Sequence, residues 1–160
     1  MAVNTKQAER RSLSFRSFDE VKGDLEALER AHERGTLRHT GNWTPGEVFD
    51  HCAIFMGCAL DGFPGRAPWA VRVLASLLFK RGAVSGKSPP PGFGTAPFLL
   101  PREGVSFADG LTALRGQIAR LDAGEQFTHP SGLFGKLTHD QWVKIQLGHT
   151  ALHLSFLHPE

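Results

Sequence analysis

The chain has 160 residues, 41% of them hydrophobic and 21% charged, the make-up of a globular protein rather than a disordered one. At that length a single domain over residues 1–160 is expected, with enough core to fold without disulfides or a structural metal. Lys and Arg number 18 against 16 Asp and Glu, and a formal charge of +2 speaks against a dedicated nucleic-acid binder. Tyr is absent, which excludes a Tyr nucleophile, and the eight His are the compositional oddity.

Near the start, ERRSLSF at Glu9–Phe15 has the look of a twin-arginine export signal. An export signal continues with an apolar stretch, whereas RSFDEVKGDLEALER follows, charged and amphipathic, so no signal peptide is read here. The first helix is predicted from Ser17, with Glu20 completing a capping box. Phe18, Val21, Leu25 and Leu28 recur at spacings of three and four, and Gly35 ends the helix. TPGE opens the second helix: Thr44 caps, Pro45 takes the first helical position and Glu47 closes the box. Val48, His51, Cys52, Phe55 and Ala59 form its inward stripe, and DGFPG at Asp61–Gly65 stops it.

A shorter apolar helix is predicted over Pro68–Lys80, packed on the rest of the protein rather than on a membrane surface. The longest apolar run, Ala67–Phe79, is interrupted by Arg72 and too short to span a bilayer. Gly82–Gly104 is too rich in Pro and Gly for helix, and a loop of that length is usually functional or mobile. Phe93, Phe98, Leu99 and Leu100 suit it to pack down and wall a pocket. A further helix runs from the cap Ser106 to about Leu121 on the stripe Phe107, Leu111, Leu114, Ile118 and Leu121. The last starts at Thr138, boxed by Gln141, and reaches about Phe156. The fold class is therefore all-α: a four-helix bundle with a short extra helix and a long loop inserted between its second and third helices.

Cys52 and Cys58 lie six apart on one helix and face different ways, so they form neither a disulfide nor a metal pair, and as core thiols they suit a reducing cytoplasm. The last helix carries the chemistry. Between Trp142 and Leu157 its only charged side chain is Lys144, the signature of a buried helix, and His149 and His153 stand four apart within it. That spacing sets their Cβ atoms about 6 Å apart on one face. Burial favours the neutral, ligating imidazole, and a buried imidazole needs a hydrogen-bond partner or a metal. Gly148 suggests a close helix–helix approach beside them. His51, on the inward stripe of the second helix, can meet the pair across the core, and three imidazoles with one open position are a recognised divalent-metal arrangement.

Of the other histidines, His32 and His39 read as surface, His139 lies in a first helical turn and His158 near the end, and His129 alone is kept as a pocket candidate. Asp50 and Gln146 are candidates to assist at the site. There is no Ser-His-Asp order, no phosphate-binding glycine loop and no H-E-x-x-H.

GNWTPGEVFDHCAIFMG resembles the second-helix segment of the DinB-like (DinB/YfiT) superfamily, in which a Trp and a helix start precede a ligating His. HPSGLFGKLTHDQWVKIQLGHTALHLSFL is similar to the last helix of that superfamily, and closer still to a branch of uncharacterised bacterial proteins that also shares ERRSLSFRSFDEV. The resemblance covers most of the chain and is weakest over Ala67–Pro101. It implies a four-helix bundle holding a divalent ion, Zn²⁺ or Ni²⁺ being expected, on His51, His149 and His153. It also implies thiol-dependent S-transfer or isomerisation using a low-molecular-weight thiol, and helix pairing into a homodimer. Relatives carry a second His just before the last ligand and a polar Arg-Gln pair after it, where this chain has Leu152, Ser155 and Phe156. The ligand set is intact, but the polar groups that orient such ligands differ.

Two classes of function stand open. One is a metal-dependent transferase or hydrolase acting on a small electrophile in the cytoplasm, without nucleic-acid or membrane partners. The other is a non-catalytic helical binding or structural module in which the histidines are packed or hold an incidental ion.

Overall fold

The computed structural model describes residues 2–92 and 94–160; Phe93, one of the loop residues expected to pack, lies outside them. The described residues form six α-helices and one two-stranded sheet. They are α1 (Phe18–Glu33), β1 (Leu37–His39), α2 (Pro45–Asp61), α3 (Trp69–Leu78), α4 (Lys80–Ala83), α5 (Phe107–Asp122), α6 (His139–Leu154) and β2 (Leu157–Pro159), with a 3₁₀ turn at Pro97–Leu99.

The helix starts follow from their caps. Ser17 accepts from Glu20 N, and Ser106 from Asp109 N. Thr44 with Glu47 and Thr138 with Gln141 make reciprocal capping boxes, which satisfy amide groups that the first turn would leave orphaned. The predicted stripes are the core: Val21, Leu25 and Leu28 of α1, Phe49, Cys52 and Met56 of α2, Leu114 of α5 and Trp142 of α6 are completely buried. Within this core α2 packs most extensively on α5 and also meets α6, while α1 touches both α5 and α6. Gly35 leaves α1 with φ 72° and Gly62 leaves α2 with φ 109°, backbone states that favour glycine at both stops.

Several details differ from expectation. The last helix ends at Leu154, not Phe156, and the chain continues as β2, antiparallel to β1 with Arg38 opposite His158. Three-residue strands are too short to show a period of two, so the sequence signals read as helical throughout. Gly82, placed in the loop, lies inside α4. The helix at Pro68–Lys80 is shorter, Trp69–Leu78, and does not pack as expected: Ala75 is its only buried residue. Arg11, half of the supposed export motif, is structural. It pairs with Asp24 through two bonds of 2.7 and 2.8 Å, and its backbone N–H donates to Ser155 O at 2.8 Å.

The close helix crossing lies where no motif marked it. A Cβ on Gly110 of α5 would overlap the carbonyl oxygen of Gly46 in α2, and one on Gly46 would sit 2.5 Å from Ser106 O. Gly110→Ala is expected to destabilise the protein by about 1–3 kcal/mol through overpacking, although alanine alone favours a helix by roughly 1 kcal/mol. Gly116→Ala on the same helix, with open space around it, should be neutral or stabilising. Urea denaturation of the two variants measures the difference, and equal effects would contradict the crossing.

Candidate metal centre

The second turn of α2 presents His51, and one face of α6 presents His149 and His153. The side-chain donors of the three lie within 4.8 Å of one another. His51 Nε2 stands 3.2 Å from His149 Nε2, and the His153 ring centroid lies 4.4 Å from that of His51 and 4.5 Å from that of His149. His51 donates from Nδ1 to the carbonyl of Leu99 at 2.6 Å. A carbonyl only accepts, so the proton is on Nδ1, and the Nε2 lone pair is left facing the other two rings. Trp43, just ahead of the α2 cap, packs on His51 and on His153 at 4.6 and 5.5 Å between centroids, and Phe55, one turn after His51, packs on His149 at 4.2 Å.

These rings are the floor of a cavity of about 840 Å³. Its walls include Trp43, Phe55, Phe63, Phe134, Leu152 and Phe156, and the irregular loop closes one side with Pro89–Pro91, Phe98 and Leu99. The expectation that this loop walls a pocket is met by Phe98 and Leu99, whereas Leu100 is exposed and does not line the cavity. His149 and His153 are only partly buried, because each is exposed to the cavity. No Asp or Glu lines the cavity among the described residues.

All three imidazoles are held neutral. Burial pushes the pKa of His51 down, opposed by its bond to Leu99 and the charge of Asp50. His149 and His153 are driven well below the usual histidine value, chiefly by burial and then by their histidine neighbours. Three neutral rings converging on one point can make few hydrogen bonds among themselves; His149 turns its Nε2 to His51, and its other nitrogen, Nδ1, has no hydrogen-bond partner. The donor set fits a divalent cation. The separation of 3.2 Å between His51 Nε2 and His149 Nε2 is close to the spacing of about 3.3 Å that tetrahedral ligands with bonds of about 2.0–2.1 Å require.

The remaining candidates fall elsewhere. Asp50 does not reach the cavity: it is buried and bound by Arg102, which donates from its backbone N–H at 2.8 Å and from its guanidinium at 2.6 and 3.1 Å. Gln146 is buried and donates to Phe55 O at 3.4 Å, away from the cavity. His129, kept as a pocket candidate, does not line it; its ring lies beside Gly62, and its carbonyl accepts from Trp142 Nε1. Gly148 admits no neighbouring helix but the backbone of the loop after α4, since a Cβ there would sit 2.9 Å from Gly86 O and 3.1 Å from Lys87 O.

The model of the family described as "Protein of unknown function (DUF1569)" matches residues 7–160. The chain belongs to this family. No curated protein and no solved structure matches it. The DUF1569 match spans His51, His149, His153, the loop that closes the cavity and the Arg11 arm that ties α1 to the end of α6. Sequence reasoning missed two parts of the site. Leu99 contributes a backbone carbonyl, which leaves no trace in side-chain pattern, and Arg102 acts from a loop whose fold the sequence does not dictate. Phe55 was legible, being four residues from His51 on the same stripe. Both cysteines are free thiols, and burial pushes Cys52 up to about 12, which removes it as a nucleophile.

Proposed function

We propose that this DUF1569 protein is a one-domain, DinB-like four-helix bundle of α1, α2, α5 and α6 that binds one divalent cation, Zn²⁺ or Ni²⁺, on His51, His149 and His153, and acts as a thiol-dependent transferase or a hydrolase on a small apolar electrophile in the cytoplasm. The observation that carries the reading is the placement of three neutral imidazoles at the floor of a largely apolar cavity. The mutual contacts of the four helices support the bundle, and the free thiols suit a reducing compartment. A bound ion would supply Lewis acidity and favour the thiolate or hydroxide form of a fourth ligand entering from the cavity. The chain's own part is to orient His51 through Leu99, to exclude bulk water with Trp43 and Phe55, and to seat an apolar substrate against Phe63 and Phe134.

The non-catalytic alternative, a helical binding or structural module, is favoured by two observations. His149 Nδ1 lacks the acceptor that normally fixes a ligating imidazole, and Leu152 and Phe156 put apolar walls into the cavity. Loading with Co²⁺ followed by addition of a low-molecular-weight thiol separates the two. A sulfur-to-cobalt charge-transfer band in the wild type, lost in His153→Ala, is the expected result. Metal binding without a thiol band, thiol-dependent turnover or metal-dependent hydrolysis of a small apolar ester would favour the module.

A further inference from the structure

Between Gly62 and Pro101 the sequence has Arg66, Arg72, Lys80, Arg81 and Lys87 and no Asp or Glu, a charge of +5 against +2 for the whole chain. The remainder of the protein is therefore net acidic and this one segment basic: Arg66, Arg81 and Lys87 are exposed, whereas Arg72 and Lys80 are half-buried. At its centre α3 turns its apolar side chains outward: Trp69 is 77% exposed, Leu77 76%, Leu78 63% and Leu74 58%, with Val71 and Val73 beside them. The segment is anchored from the other side. Ala67 N donates to Gly132 O at 3.0 Å, Lys80 Nζ donates to Phe134 O at 3.2 Å, and Ala75 is buried. The outward face is thus held in place, and a contiguous apolar surface of this kind marks an interaction site.

The charge decides what covers it. Pairing with a second copy about a two-fold axis would bring two sets of the exposed cations Arg66, Arg81 and Lys87 together with no carboxylate of the segment between them, which costs free energy. A surface that is apolar beneath and anionic above complements both properties at once. We propose that α3 docks the protein on an anionic lipid bilayer, lying flat in the interface with Trp69, Leu74, Leu77 and Leu78 among the acyl chains and Arg81 and Lys87 at the phosphates. α3 is not a span, since no helix among the described residues is long and apolar enough to cross a membrane. The expectation of no membrane partner went with α3 packing its apolar face on the rest of the protein, whereas Ala75 is the one residue of α3 that is buried. Arg66 and Ala67, just ahead of α3, and the exposed Phe98 also line the cavity, so docking would set the cavity close to the lipid.

Flotation of the full chain with phosphatidylcholine vesicles, with and without phosphatidylserine, tests the proposal. The wild type should float with the phosphatidylserine vesicles and be released by salt, with a blue shift in Trp fluorescence that Trp69→Phe abolishes. Leu74→Asp/Leu77→Asp should weaken partition roughly tenfold or more, and Arg81→Glu on the order of tenfold, with unchanged circular dichroism because all three side chains are exposed. Absence of flotation, or equal flotation with neutral vesicles, would overturn it. So would sedimentation of the lipid-free wild type as a dimer that Leu74→Asp/Leu77→Asp dissociates, if the vesicles take up no protein.

Discussion

Acidification from about pH 7 towards about pH 5 should destabilise the metal-free protein steeply, because three histidines share one depressed environment. In the unfolded chain each titrates near 6.5. In the fold His51, His149 and His153 are all lowered, the last two strongly. Below about pH 6.5 the unfolded state therefore binds more protons than the native state, and stability rises with pH across that window. The stabilising contribution is complete above the unfolded value and is lost as pH falls below it. Each histidine that stays neutral in the fold adds a slope of about 1.4 kcal/mol per pH unit. The carboxylates lowered by arginine partners, Glu29 by Arg115 and Asp61 by Arg120, lose their contribution only nearer their own unfolded values, at about pH 4. Urea denaturation between about pH 7.5 and pH 5 thus isolates the histidines. His149→Phe should flatten the profile, and a flat wild-type profile would show that burial does not hold the three rings neutral.

Arg102→Ala should be among the most damaging substitutions of an exposed side chain. The Arg102 side chain is 64% exposed whereas that of Asp50 is 2% exposed, so removing the guanidinium leaves a buried carboxylate with little beyond the Arg102 backbone N–H. Stranding a buried charge costs about 3 kcal/mol or more. The consequence reaches the candidate centre, because Asp50 precedes His51 and Arg102 follows the Leu99 carbonyl that fixes the His51 tautomer. Metal affinity is expected to weaken by roughly 10–100-fold, the usual effect of losing a group that orients a ligand. Arg102→Lys should recover part of the stability through its charge and less of the affinity, since the two-pronged contact needs a guanidinium. Chelator-competition titration and urea denaturation on both variants measure the two effects, and an unchanged affinity in Arg102→Ala would detach the loop from the site.

Much of this was legible because helices announce themselves locally. Ser17, Thr44, Ser106 and Thr138 each mark a start that the fold uses, and the four stripes behind them fill one core. His149 and His153 were fixed on one face by their spacing alone, and His51 by its place on the α2 stripe. What escaped depends on contacts between distant segments. The β1–β2 pair, the Gly46–Gly110 crossing and the Leu99 carbonyl are each set by backbone meeting backbone, on which side-chain periodicity is silent. Asp50 was a candidate to assist at the site, but its partner lies 52 residues away in an irregular loop. For α3 the apolar pattern was read correctly and its direction was not, because a hydrophobic stretch reports that it avoids water without reporting what covers it.

Metal content tests most directly whether the three histidines of α2 and α6 hold one ion. Untagged wild-type protein, His51→Ala, His149→Ala and His153→Ala should be dialysed against Zn²⁺ or Ni²⁺ and then against metal-free buffer, and assayed by elemental analysis. Close to one ion per chain is expected in the wild type, and a loss on the order of 100-fold in affinity, seen as near-empty protein, in every variant. A wild type that retains no ion, or a His149→Ala protein that retains as much as the wild type, would contradict it.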